Sequence, residues 1–318
     1  MDTLDLRILR ALGIQAWSEG QRNLDDLRPA TLARRFRVRP ELVRERISRL
    51  ESSGVVAGYE IYPNFRHLGL DVTTYHYTLE DPGLKAAAVD EAAEFEGVFG
   101  VFGYLGQVVC VDVCHRSPAD RARRLSVLGK LMNGARGGVM WERNLPAVTR
   151  ALDVLDWRII KALRGDAHRP LEDVAADLGI SIRTVRRRFA HLASEGSIDV
   201  VANFDPTCIE GNLMVEFHVF LAPDAPAGTR RGIQDICGDN WFAAWTPPDE
   251  AVAGMALVLV GPSVARFEEL RAAVEALPGV RSMRVLVPSR VAYRANWIDE
   301  AIEEKLVGIA IGGRANAA

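Results

Sequence analysis

The chain has 318 residues, of which 48% are hydrophobic and 25% charged, with a net charge of −3 and four cysteines. No apolar run reaches the ~18 residues that span a bilayer, the first residues lack a basic-then-apolar leader, and so few cysteines do not make a disulfide scaffold. These features lead us to expect a cytoplasmic protein with more than one domain.

The charge is unevenly spread. Residues Arg28 to Ser53 contain eight arginines and three glutamates, a local net of +5, and Arg169 to Glu195 contain five arginines and four acids, a net of +1. Given the overall −3, the remainder carries −9. A localised basic patch on an otherwise acidic chain is the electrostatic footprint of a nucleic-acid binder.

In chain order, Leu4 to Leu12 has the apolar spacing of a helix. A helix over Pro29–Phe36 follows, then the turn Arg37-Val38-Arg39, then a helix over Pro40–Ser53 that opens on a proline whose missing N–H costs nothing there. Gly54 ends it, and Val55–Ile61 is extended. Strand Asp71–Glu80, helix Gly83–Glu96, strands Val98–Leu105 and Gln107–His115, helix Pro118–Met132 and strand Gly138–Arg143 complete the first half.

The second half repeats this order. Leu155 to Leu163 matches the first helix at an offset of 151. Ala33, Val43, Arg44, Arg46, Leu50, Gly54, Gly69 and His76 match Ala175, Val185, Arg186, Arg188, Leu192, Gly196, Gly211 and His218 at a constant offset of 142. The first copy therefore has nine extra residues around Trp17 to Asn23. Helix Leu171–Leu178, turn Gly179-Ile180-Ser181 and a helix from Ile182 to Glu195 capped by Ser181 lead into an extended Ser197–Phe204. Elements at Leu213–Leu221, Thr229–Cys237, Trp241–Trp245, Ala251–Val260, Ser263–Leu277 and Arg281–Val287 follow. The expected fold is α+β: a tandem duplication in which two winged helix-turn-helix domains (1–64 and 149–206) alternate with two ferredoxin-like βαββαβ domains (65–148 and 207–295), with an amphipathic tail over 296–318.

The runs Leu4-Asp5-x-x-Ile8-Leu9-x-x-Leu12 and Val43-x-x-Arg46-Ile47-x-x-Leu50-Glu51-x-x-Gly54-Val55-Val56-x-Gly58-Tyr59 resemble the leucine-responsive regulatory protein/asparagine-operon regulator (Lrp/AsnC) family. The resemblance covers nearly the whole chain twice, and Ser197-Ile198-Asp199-Val200-Val201 departs from the wing pattern. It implies a sequence-specific transcription regulator that binds double-stranded DNA, pairs through its sensor-type (RAM-like) domains and responds to a small effector such as an amino acid. The family's effector turn falls on Tyr104-Leu105-Gly106-Gln107-Val108, which makes Tyr104, Gly106 and Gln107 the effector candidates.

For DNA contact, a recognition helix must carry reaching side chains at its N-terminal end and outer face. These are Arg39, Glu41, Arg44, Glu45 and Arg49 in the first copy, and Ser181, Arg183, Thr184, Arg186 and Arg187 in the second. Arginine grips guanine through two parallel bonds, whereas Arg46 and Arg188 read as phosphate contacts that position without specifying.

Strand alternation puts His76, His218, Cys110, Asp112 and Cys114 on one side, so two facing sheets would gather them at a seam. We read them there as packed or hydrogen-bonded residues rather than metal ligands. No nucleophile-elbow or zinc-protease motif occurs. The expectation is a protein that is not an enzyme and has no cofactor or membrane contact, and that self-associates through its sensor-type domains. Siroheme decarboxylases resemble the same family, and a similar enzyme or tetrapyrrole binder is the alternative; a low-specificity architectural DNA binder is another.

Overall fold

Buried Leu6, Ile8, Leu9 and Leu12 form one side of the first helix, α1 (Thr3–Leu12), and close the core of a three-helix unit with α2 (Pro29–Phe36) and α3 (Pro40–Ser52). This computed structural model describes residues 1–12, 28–143, 145–245, 254–293 and 296–315. The extra segment expected around Trp17 to Asn23 lies outside the described residues, as do 251–253 at the start of one expected strand. Strand β1 (Val56–Pro63) follows, then a sheet unit of β2 (Asp71–Thr78), α4 (Lys85–Ala93), β3 (Val98–Tyr104), β4 (Val108–His115), α5 (Pro118–Leu131) and β5 (Arg136–Glu142).

The same order recurs as α6 (Val154–Leu163), α7 (Leu171–Leu178), α8 (Ile182–Ser194), β6 (Ile198–Phe204), β7 (Leu213–Leu221), α9 (Thr229–Cys237), β8 (Trp241–Trp245), β9 (Gly254–Gly261), α10 (Val264–Glu275) and β10 (Val280–Leu286). Arg37 ends α2 in the left-handed region at φ 59°, where Gly179 ends α7 at φ 65°. Only glycine adopts that geometry without strain, so the first unit holds an arginine in a conformation that the second assigns to glycine.

Three sheets organise the chain. The four-stranded sheet runs β10-β7-β9-β8, which is the ferredoxin-like order. Its counterpart runs β5-β2-β4-β3 and gains a fifth strand, β11 (Pro288–Ala292), beside β3. Sequence reading ended the strands at Val287; the additional pairing carries the chain from the second sheet unit onto the first. The third sheet is a two-stranded ribbon in which β1 pairs antiparallel with β6. Tyr59 opposes Ala202 and Glu60 opposes Val201, so at the 142-residue offset the ribbon is self-complementary.

Contacts between units are crossed. Arg10 of α1 donates to the carbonyl oxygens of Trp241 and Gly238, at 2.9 Å each, and lies 4.1 Å over the Trp241 ring, so the first helical unit docks on the second sheet unit. The C-terminal helix α11 (Asn296–Ala315) returns to α6, with Ile298 and Ile302 fully buried. Trp297 donates its indole N–H to the Val98 carbonyl at 2.8 Å and stacks on Phe65. The amphipathic tail is therefore a clamp on the protein's own surface.

Because Ile298 is fully buried, Ile298→Ala should cost about 2–5 kcal/mol in urea unfolding. A change below about 0.5 kcal/mol, the level of a neutral surface substitution, would show that α11 is peripheral to the fold.

Candidate nucleic-acid interface and the seam between the sheets

Each helical unit carries a buried aspartate on its first helix. Asp5 is fully buried and accepts from Arg46 at 3.1 Å and Arg49 at 2.5 Å. Asp156, equally buried, accepts from Arg188 at 3.0 Å and Arg150 at 2.7 Å. Asp2 and Asp153 hold the same arginines from outside, each at 2.5 Å. Arg46, Arg49 and Arg188, expected at the DNA, thus brace the first helix of each unit against its third. Leaving one of these aspartates unpaired would strand a buried charge.

The remaining candidates face solvent. Arg39, Glu41, Arg44, Arg183, Arg186 and Arg187 are exposed along α3 and α8. Arg44 pairs with Glu41 at 2.8 Å and Arg186 with Glu172 at 3.1 Å, and both pairs are exposed. Such pairs contribute little and open readily, leaving the guanidinium groups available to a base or phosphate. Ser181 caps α8, accepting from the Thr184 backbone N–H at 3.2 Å, and its hydroxyl lies 2.9 Å from that of Thr184. Both residues are spent on helix geometry first.

The sheets pack face to face through Phe102, Tyr104, Cys110, Met140, Ala256 and Leu286. A polar cluster is buried there. Tyr104 donates its hydroxyl to Glu216 across the seam at 2.7 Å, and the His218 Nε2 lies 2.9 Å from the same carboxylate oxygen. Thr74 donates to Asp112 at 2.6 Å, and Arg143 pairs with the other oxygen of that carboxylate. Burial, reinforced by Glu216, pushes the Tyr104 phenol well above its ordinary range, and burial with the Glu216 and Asp112 charges does the same to the Cys110 thiol. His76 is lowered by burial and by the nearby Arg284 guanidinium. Between Thr74, Tyr104, Asp112, Arg143, Glu216 and His218 lies a cavity of about 20 Å³, room for roughly one water.

Of the effector candidates, Tyr104 turns into this seam while Gly106 and Gln107 are exposed at the hairpin tip, so the structure does not bring the three together. The seam carboxylate Glu216 escaped sequence reading. Its signal was an acid facing inward on an otherwise apolar strand, Leu213–Leu221. Among the described residues, no group of three or more His, Cys, Asp or Glu side chains is placed to hold a metal ion, and no helix is long and apolar enough to cross a membrane.

The connection from β5 to α6 links the seam to α8. Arg143, beside Asp112, begins it; Asn64 donates to the Pro146 and Gly196 carbonyls at 2.9 and 3.1 Å; and Arg150 ends it on Asp156 and on Glu195, the latter at 2.8 Å. His67 lies beside this strap, 3.0 Å from the Ser197 hydroxyl. Burial first, and the Arg150 guanidinium second, lower its pKa from 6.5 to about 4. The unfolded chain therefore takes up this proton first. The stability it contributes is complete above pH 6.5 and drains as pH falls toward 4. His67→Gln should flatten that part of the profile, read as urea midpoints at pH 7 and pH 5. An unchanged slope would remove His67 as its source.

A family model described as the AsnC-type helix-turn-helix domain matches residues 152–193. No curated protein matches the chain. Among solved structures, the siroheme decarboxylase NirDL is similar with a TM-score of 0.54 at 12% identity, covering 96% of this chain and 99% of that one. The same protein in co-complex with an iron-uroporphyrin III analogue gives 0.55 at 14% identity over the same shares. E. coli AsnC, 19% identical, covers 48% of this chain and 97% of its own with a TM-score of 0.31. At these identities the likeness to NirDL is one of fold, and it corrects one expectation. A chain with this architecture cannot be taken as a non-enzyme, because an enzyme adopts the same fold over its whole length. Residues 152–193 form an AsnC-type helix-turn-helix domain, set in a mixed α/β fold that resembles a siroheme decarboxylase.

Proposed function

We propose that the chain is a sequence-specific DNA-binding regulator of the Lrp/AsnC type, in which tandem duplication has fused the equivalent of a homodimer. The observation that carries this reading is the row of exposed arginines on two recognition helices, Arg39 and Arg44 on one side and Arg183, Arg186 and Arg187 on the other. The self-complementary ribbon between Val56–Pro63 and Ile198–Phe204 supports the fusion, since a twofold pair of chains would meet in the same way. The two helices offer different chemistry. Glu41, Arg44 and Glu45 stand where Arg183, Arg186 and Arg187 stand at the 142-residue offset. Glutamate accepts from cytosine N4 and arginine donates to guanine, so the preferred site is asymmetric. A small effector and self-association through the sheet units belong to this reading.

A second reading rests on the buried Tyr104–Glu216–His218 cluster together with the NirDL likeness: an enzyme working by proton transfer at the seam. A siroheme-like substrate is a large polyanion, whereas the seam encloses about 20 Å³ and holds two carboxylates, with Arg143 already committed to Asp112. The cluster as it stands does not fit that macrocycle. Incubation with siroheme tests the point: carbon dioxide release with a changed absorbance spectrum supports this reading, and an unchanged spectrum sinks it.

For the first reading, Arg183→Ala and Arg187→Ala should each weaken binding to a selected DNA site by about 1–3 kcal/mol where the contact is to a base. Where it is to a phosphate, the slope of affinity against salt should fall by about one unit instead. Arg188→Ala should lower the melting temperature and leave the salt slope unchanged. Fluorescence anisotropy on selected and random duplexes reads all three. Unaltered affinity in both Arg183→Ala and Arg187→Ala would refute the assignment, and equal affinity for both duplexes would favour an architectural binder.

A further inference from the structure

The turns that lead into α3 and α8 share one backbone and carry opposite charge. The Val38 N–H bonds the Ala33 carbonyl at 3.0 Å and the Arg37 N–H bonds that of Arg34 at 3.4 Å. At the 142-residue offset, Ile180 bonds Ala175 at 3.0 Å and Gly179 bonds Ala176 at 3.2 Å. This pair of bonds belongs to a turn whose first residue past the helix is left-handed, as Arg37 and Gly179 are. Side chains then diverge. Residues 29–39 hold Arg34, Arg35, Arg37 and Arg39 and no acid, a local +4. The matching residues 171–181 hold Glu172, Asp173 and Asp177 and no lysine or arginine, a local −3. Opposite the four arginines stand Ala176, Asp177, Gly179 and Ser181.

All four arginines are exposed. Among the described residues, no hydrogen bond or ion pair holds any of their guanidinium groups, and Arg35 has a ring contact, 6.0 Å over Phe36. Attraction of cations to the C-terminal end of α2 accounts for Arg34 and Arg35. It does not account for Arg37, because a left-handed backbone disfavours any side chain and Gly179 makes the same turn without that cost. Strain kept at an exposed residue that no group in the fold repays points to a use outside the fold.

We propose that Arg37, with Arg34, Arg35 and Arg39, forms a clamp on the phosphates of double-stranded DNA that seats the first helical unit, and that the second unit has no such clamp. The inference rests on the regulator reading above and adds which half grips the backbone. A turn just ahead of a helix whose N-terminal end enters the major groove faces the phosphates at the groove's edge. Guanidinium forks suit phosphate oxygens. The second unit offers acids there instead; Arg186 and Arg169 pair with Glu172 and Asp177, which lessens their repulsion of the backbone without reversing it.

Fluorescence anisotropy over a salt series, on a selected and a random duplex, tests the clamp, with urea midpoints measured alongside. Arg37→Gly should weaken binding to both duplexes alike, about fivefold at 0.15 M salt, and lower the salt slope by about one unit. Its urea midpoint should not fall, because relief of the left-handed strain offsets the extra freedom of glycine in the unfolded chain. Arg37→Lys keeps the charge and should keep the slope. Arg281→Gln, which removes an exposed charge from the second sheet unit, should keep it too. Ethylation interference on the selected duplex should show blocking phosphates crowded beside one half-site. A full chain that binds neither duplex sinks the regulator reading and this inference with it. Where the full chain binds, the clamp alone is overturned by unchanged affinity in Arg37→Gly, by a fall in its urea midpoint, by an equal loss of slope in Arg37→Lys or Arg281→Gln, or by blocking phosphates spread evenly over both half-sites.

Discussion

The antiparallel pairing of Val56–Pro63 with Ile198–Phe204 is the constraint on which the rest of the molecule depends. It joins the two helical units back to back through backbone hydrogen bonds, and side chains seal it. Arg164, itself buried, pairs with Glu60 at 2.9 Å and lies 4.2 Å over the Tyr62 ring. Tyr62 in turn meets Phe99 edge-on, which ties the ribbon to the first sheet. With the ribbon fixed, the separation of α3 and α8 is a property of the fold.

The two halves are alike in order and unlike in chemistry. The aspartate on each first helix is braced by the arginine at the common offset, Arg46 or Arg188, but the second cation differs. In the first unit it is Arg49, from the recognition helix itself; in the second it is Arg150, from the strap that leaves the seam. Among the described residues, α8 is therefore tied by Arg150 to the strap that leaves the seam, through Glu195 at its C-terminal end. The seam is uneven as well: Glu216 stands at the offset position of Thr74.

Most of the element order was legible because periodicity is local: Val43, Ile47 and Leu50 report a helix face, and Val109, Val111 and Val113 a strand face, without reference to anything distant. Strand β11 was not legible. Pro288 and Ser289 open it and its partner, β3, lies nearly two hundred residues earlier, so no local pattern marks the pairing. The roles of Arg46, Arg49 and Arg188 were missed for a different reason. On a helical wheel they share the polar face with the exposed Arg44 and Arg187, and the buried Asp5 and Asp156, placed among Leu6, Ile8 and Leu9 or Trp157, Ile159 and Ile160, turn them inward. An acid on an apolar stripe, repeated in both halves, was the available signal. The seam carboxylate depends on how the halves meet, which composition does not encode.

The central claim is that two recognition helices, held at one spacing by the ribbon, read DNA together. Hydroxyl-radical footprinting on sites selected from random DNA measures this directly. The account predicts two protected patches on one face of the duplex, about one helical turn (roughly 34 Å) or a multiple apart, with unlike sequences beneath them. A single patch, or protection spread evenly without regard to sequence, would contradict it.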